Sequence, residues 1–137
     1  MSETRSSRAP APVGPYPHAR RVGGMLFVSG TGSRVPGSNA IPGNVTDETG
    51  RAVRHDIEAE TRQCFANIRT ILEDAGTSWD RIVDVTVFLT DMAGDFATFN
   101  RVYAEYFPAN QPARTTVEVG ALPTPIHIEL KVIATIG

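Results

Sequence analysis

Residues 56–76 read DIEAETRQCFANIRTILEDAG, and residues 82–90 read IVDVTVFLT. In the first stretch Ile57, Thr61, Cys64, Phe65, Ile68, Ile71, Leu72 and Ala75 recur at the spacing that gathers them on one face of a helix. Asp56 offers an N-cap and Gly76 a left-handed stop, so the pattern predicts a helix between them. In the second stretch β-branched residues alternate. Val83, Val85, Val87 and Leu89 fall on one side of the predicted strand, and Ile82, Asp84, Thr86 and Phe88 on the other. A long amphipathic helix running into a strand of this kind predicts a chain that mixes helix and sheet.

Working outward, Ala19–Val22 and Met25–Ser29 flank Gly23-Gly24 and predict a hairpin. Residues 30–50 hold Gly30, Gly32, Pro36, Gly37, Pro42, Gly43 and Gly50, and read as a long functional or mobile loop with a short strand after it. A second helix is predicted from about Gly94 to Phe107, burying Phe96, Phe99, Tyr103, Tyr106 and Phe107, with Pro108 ending it. Thr115–Val119 and Ile126–Ile136 predict two closing strands. Residues 1–14 carry Ser, Arg and Pro without apolar period and read as a flexible arm before a single domain over 15–137. The order is ββ(β)αβαββ. Two helices cover one face of a sheet of five or six strands, so the other face, still partly apolar, predicts a homo-oligomer.

The chain has 137 residues, enough for one domain with its own core. Thirteen Lys and Arg against fifteen Asp and Glu give a net charge of -2, with a pI near 5.9. That balance argues against a protein built to coat nucleic acid or an anionic membrane. One cysteine, Cys64, excludes an internal disulfide framework and reads as a small buried hydrophobe. The first eleven residues lack the apolar segment of a secretory signal, and no apolar run approaches a membrane span, so a cytoplasmic location is expected.

No phosphate-binding loop and no G-x-S-x-G elbow occurs, and His18, His55 and His127 lack metal-ligand spacing, so neither a metal nor a cofactor is expected. Two charged residues stand where a fold alone does not require them. Arg114 follows Gln111-Pro112-Ala113 at the start of a strand, and its planar guanidinium suits a carboxylate. A surface arginine at a strand end explains it as well. Glu129 lies mid-strand between Ile128 and Leu130, sharing a face with His127 and Lys131. A solvated outer face accounts for that row as readily as an active site does.

Gly14-Pro15-Tyr16, Leu26-Phe27-Val28-Ser29-Gly30, Asn67 with Ile71-Leu72 and Ala75-Gly76, Val87-Phe88-Leu89-Thr90-Asp91-Met92, Asn100 through Tyr103 to Phe107, Pro112-Ala113-Arg114, Leu122-Pro123 and Ile128-Glu129 together resemble the RidA family of enamine/imine deaminases. The resemblance spans about residues 12 to 135. It implies a chorismate-mutase-like α+β fold, one mixed, mostly antiparallel sheet with both helices on one face, and a trimer with sites at the subunit interfaces, with pairing into hexamers left open.

Three departures resemble the 2-aminomuconate deaminase branch. They are Ser29-Gly30-Thr31-Gly32-Ser33-Arg34 after the hairpin, Tyr16-Pro17-His18 near the start, and Thr116 two residues beyond Arg114. The implied reaction is hydrolysis of an enamine dicarboxylate, 2-aminomuconate, to 2-oxo-3-hexenedioate and ammonia in aromatic-compound catabolism. By the same resemblance Arg114 clamps the carboxylate beside C2 and Glu129 positions or activates water. The backbone around Ser29, Gly30, Thr31 and Thr116 contacts substrate or water, and Tyr16 walls the pocket. A second carboxylate requires another cation or donor, for which Arg34, Ser33, His18 and His127 are the candidates. A general 2-imino acid deaminase, a non-catalytic ligand-binding member and a chorismate mutase are the competing readings.

Overall fold

The computed structural model describes residues 2–137. In chain order the elements are β1 (Ser2–Thr4), β2 (Ala19–Val22), β3 (Met25–Gly32), β4 (Val45–Thr46), β5 (Ala52–Arg54), α1 (Ile57–Ala75), a 3-10 turn (Trp79–Arg81), β6 (Ile82–Leu89), α2 (Met92–Tyr106), β7 (Ala113–Glu118) and β8 (Ile128–Thr135). Six strands form one sheet in the order β1-β2-β3-β8-β6-β7, while β4 and β5 make a separate two-stranded ribbon. Every pair in the large sheet is antiparallel except β6 with β7. That exception follows from connectivity, because α2 supplies the crossover that parallel neighbours require. The expected α+β architecture, two helices on one mixed sheet, is the architecture observed.

Helix α1 begins where Asp56 accepts a hydrogen bond from the Ala59 N–H, and it ends at Gly76 with φ of 96°. Its buried stripe includes Ile57, Cys64, Phe65, Ile68, Ile71 and Leu72, which pack on Leu26, Val28, Val87, Leu130 and Val132 of the sheet. Full burial of each large side chain contributes about 1.5–3 kcal/mol. An aromatic group of Phe65, Trp79, Tyr103, Tyr106 and Phe107 closes the space between the helices. Cys64 is fully enclosed, burial pushes its thiol pKa up, and its Sγ donates to the Thr31 carbonyl.

The opposite face of the sheet carries no helix among the described residues. Val22 is 49% exposed, Val83 40%, Phe27 39% and Val117 38%. Arg20, Thr86 and Lys131 stand among them on the same face, so it mixes apolar and polar side chains.

Three expectations need correcting. The arm over residues 1–14 is docked along the domain from Ser2 onward, Met1 lying outside the described residues. Ser2–Thr4 pairs with β2, and Arg8 forms an ion pair with Asp74 of α1. In β6 the first two residues exchange roles. Ile82 is buried and Val83 exposed, because the register with β8 shifts between Ile82 and Asp84. Such a bulge inverts the alternation upstream of it. The loop over 30–50 is shorter than expected, since β3 continues to Gly32 and β4 pairs with the strand after Gly50.

Candidate active site

Where β3 ends and β8 begins, the two strands shape a recess. A register shift between Val28 and Thr31 lets Gly32 pair with Glu129. Gly30 and Gly32 leave space there that side chains would fill. A Cβ on Gly30 would stand 2.7 Å from the Glu129 Oε2, and one on Gly32 would run into the Ile126 side chain. The small residues are therefore what allows the Glu129 carboxylate to lie over the strand.

The recess is lined by Tyr16, Gly30, Arg34, Thr124 and Glu129, and it adjoins a second one where Tyr16, Gly30 and Arg34 also contribute, with Ser29 and Thr31. Burial pushes the Glu129 carboxyl above the ordinary carboxylate range, and among the described residues it forms no ion pair. Lys131, two residues on, points its Nζ at the Val28 carbonyl, 2.8 Å away, and burial pulls its pKa down. Neither Lys131 nor His127 pairs with Glu129. A carboxylate held this way is available to take a proton from water.

Arg114 lies elsewhere in the chain. It pairs across the sheet with Val85, on the helix-covered side, at the edge strand β7. Its Nη1 donates to Asn100 Oδ1 at 2.9 Å, and its guanidinium carbon sits 4.6 Å from the centre of the Tyr103 ring. The Tyr103 hydroxyl beside it is buried without a hydrogen-bond partner. Among the described residues no carboxylate neutralises Arg114, so the fork is held flat by an amide and an aromatic face with its other N–H groups free. Thr116 follows on the same side of β7, opposite Val87.

Several of the candidate side chains have hydrogen-bond partners within the chain. The hydroxyl of Ser33 is fully buried and donates to Glu60 Oε1 at 2.8 Å. His18 accepts from the Ser6 N–H at Nδ1, which leaves Nε2 as the donor to the Pro10 carbonyl, so both ring nitrogens are committed. Thr31 is buried, its hydroxyl donating to the Ser29 carbonyl. Ser29 donates to the Pro17 carbonyl. His127 binds Glu60 through Nδ1 at 2.7 Å, stacks on His55 at 3.8 Å between ring centroids, and faces a different recess with Thr90 and Leu122.

The residue that sequence reasoning missed is Glu60. It is wholly buried, and its oxygens receive Ser33 Oγ, the His127 N–H and the His127 ring. It thereby ties the end of β3 to the start of β8, the two walls of the recess. Asn67 adds to this from the same helix, donating to the carbonyls of Gly32 and Arg34. The signal was present, because both residues stand on the apolar stripe of α1 where a polar group requires a reason.

Among the described residues no helix is long and apolar enough to cross a membrane. The family model described as Endoribonuclease L-PSP matches residues 6–136. A RutC family protein of Pyrococcus abyssi is 43% identical over 94% of this chain and 92% of its own length. Reactive Intermediate Deaminase A, chloroplastic, of Arabidopsis thaliana is 38% identical over 96% of this chain and 64% of its own length. Among solved structures, E. coli TdcF with bound serine superposes with a TM-score of 0.85 at 32% identity, covering all of both chains. A match across nearly the whole length, with a relative at 43% identity and a solved structure of the same fold, makes the chain a member of the Endoribonuclease L-PSP family, the RutC and RidA proteins.

Proposed function

We propose that the protein is a hydrolytic deaminase of carboxylate-bearing imines and enamines, and that its preferred substrate is 2-aminomuconate. The observation that carries the reading is the Glu129 carboxylate, half-buried in a recess with no neutralising partner and accommodated by Gly30. In the imine tautomer C2 is electrophilic. Glu129 takes a proton from water as its oxygen bonds to C2, the carbinolamine nitrogen is protonated, and the C–N bond breaks to release ammonia. The products are 2-oxo-3-hexenedioate and ammonia, so one water is consumed and no redox partner is required. Arg114 holds the carboxylate next to C2 and fixes that carbon against the water.

Arg114 and Glu129 line separate recesses in one protomer, with Arg114 at the open edge of the sheet. We propose that a second copy brings its Arg114 edge to the Glu129 recess and that three copies close the arrangement, covering the helix-free sheet face. The particle is expected to weigh about three times 14.8 kDa. Light scattering that returned a stable monomer at micromolar concentration would remove the shared site.

A general 2-imino acid deaminase is the second reading, favoured by the relative named Reactive Intermediate Deaminase A and by the serine bound in TdcF. The endoribonuclease in the family's description is not carried over, since a net charge of -2 gives no electrostatic footprint for a polyanion. Ammonia release from enzymatically generated 2-aminomuconate, measured beside imines formed from common amino acids, separates the two deaminases. A higher kcat/KM on 2-aminomuconate is expected, and preference for the amino-acid imines would install the general enzyme.

A further inference from the structure

A substrate with a carboxylate at each end places a second negative charge several bonds from the one that Arg114 takes. Of the four candidates for that charge, three are occupied. Ser33 gives its hydroxyl to Glu60, His18 has both nitrogens engaged, and His127 is bound to Glu60 beside a different recess.

Arg34 differs in keeping donors and an uncompensated charge at the recess. It lines the Glu129 recess and the adjoining one, as Tyr16 and Gly30 do. Its guanidinium makes two hydrogen bonds, Nη2 to the Ala11 carbonyl at 2.7 Å and Nη1 to Asn39 Oδ1 at 3.0 Å. Both acceptors are neutral, and among the described residues no carboxylate lies within ion-pair distance of Arg34. By contrast Arg8, Arg62 and Arg101 are all paired with Asp or Glu. Three of the five N–H donors of Arg34 and its whole charge therefore remain for a ligand.

The seat is also rigid. Asn67 Nδ2 donates to the Arg34 carbonyl at 2.8 Å and to the Gly32 carbonyl at 2.9 Å, and Ser33 between them is tied to Glu60. A preordered cation beside the reacting carboxylate, with spare donors and no counter-charge, is the arrangement that selects a second carboxylate.

We infer that Arg34 binds the distal carboxylate and makes the protein selective for dicarboxylates over monocarboxylates, an inference that rests on the Glu129 recess being the substrate site. The alternative is that Arg34 only fastens the arm at Ala11 to the loop at Asn39. Loss of a purely structural tie would weaken both ligand classes together.

Calorimetry with two six-carbon dienes of similar shape distinguishes the possibilities, muconate carrying two carboxylates and sorbate one. The wild-type protein is expected to bind muconate at least about 10-fold more tightly than sorbate. Arg34→Gln is expected to lower the muconate-to-sorbate affinity ratio by about 10- to 100-fold, and Arg34→Lys to restore part of it. A ratio unchanged in Arg34→Gln, or a wild-type protein that does not distinguish the two ligands, overturns the inference. If 2-aminomuconate is turned over while the ratio ignores Arg34, only this inference fails. If the ratio depends on Arg34 but 2-aminomuconate is not turned over, the proposed reaction fails and the dicarboxylate site stands.

Discussion

Arg114→Ala is expected to lower kcat/KM by roughly 30-fold to several-thousand-fold, the equivalent of about 2–5 kcal/mol of lost transition-state stabilisation. The expectation follows from how the side chain is held. Asn100 and the Tyr103 ring fix the plane of the guanidinium, so little orientational freedom remains to be lost when a carboxylate arrives. No internal carboxylate competes for it among the described residues. Arg114→Lys keeps the charge but loses the fork and the flat contact with Tyr103, so it is expected to recover only part of the loss. Stability should change little in both variants, because Arg114 sits on an edge strand and its one side-chain hydrogen bond, to Asn100, is exposed. Steady-state kinetics together with thermal melts would check this. Unchanged kcat/KM in Arg114→Ala would remove Arg114 from the site.

The elements whose sequences repeat with one period were legible from that period. Helix α1 declared its apolar face and both caps in the sequence, and the structure places the caps at Asp56 and Gly76. The arm over residues 2–14 gave no such signal, because what docks it is backbone pairing with β2 and an ion pair to Asp74, 66 residues away from Arg8. The exchange of Ile82 and Val83 was hidden for a related reason. A bulge is a property of two strands together, and alternation within one strand assumes there is none.

The candidate site divides in the same way. Arg114 and Glu129 drew attention as charged residues on strands, but neither could be raised above a surface role without the motifs around them. Ser33, His18 and His127 were plausible ligands by chemistry alone. What removes them is a set of partners distant in sequence, Glu60 for Ser33 and His127, Ser6 and Pro10 for His18. Glu60 itself was readable in principle as a carboxylate on the apolar stripe of α1, and its meaning appeared only with the two strands it joins.

Glu129→Gln is expected to reduce kcat by about 100- to 10,000-fold, the contribution usual for a positioned general base, while KM stays within about a few-fold. The amide keeps the size of the carboxylate and its ability to hydrogen-bond, so the recess above Gly30 should stay formed. What it loses is the capacity to accept a proton from water. Burial raises the Glu129 pKa, and no cation opposes that shift. The wild-type rate is therefore expected to fall as pH drops through a value above the ordinary carboxylate range, and this acid limb should be absent from whatever activity the Gln variant keeps. Stability should move in the opposite direction. A carboxyl whose folded-state pKa is raised holds its proton more tightly folded than unfolded. Its favourable contribution is complete below the unfolded value and is lost as pH rises through the folded one. Glu129→Gln carries no such loss, so its melting temperature relative to wild type should climb as pH increases from about 4 to 8 across that window. A residue serving only as a solvated surface charge would show neither effect. If the Gln variant kept more than about half of the wild-type kcat, far above what loss of a general base allows, Glu129 would have no part in the chemical step. A variant that was slow yet melted lower than wild type at pH 8 would instead make Glu129 a support for the recess, acting through the walls it touches.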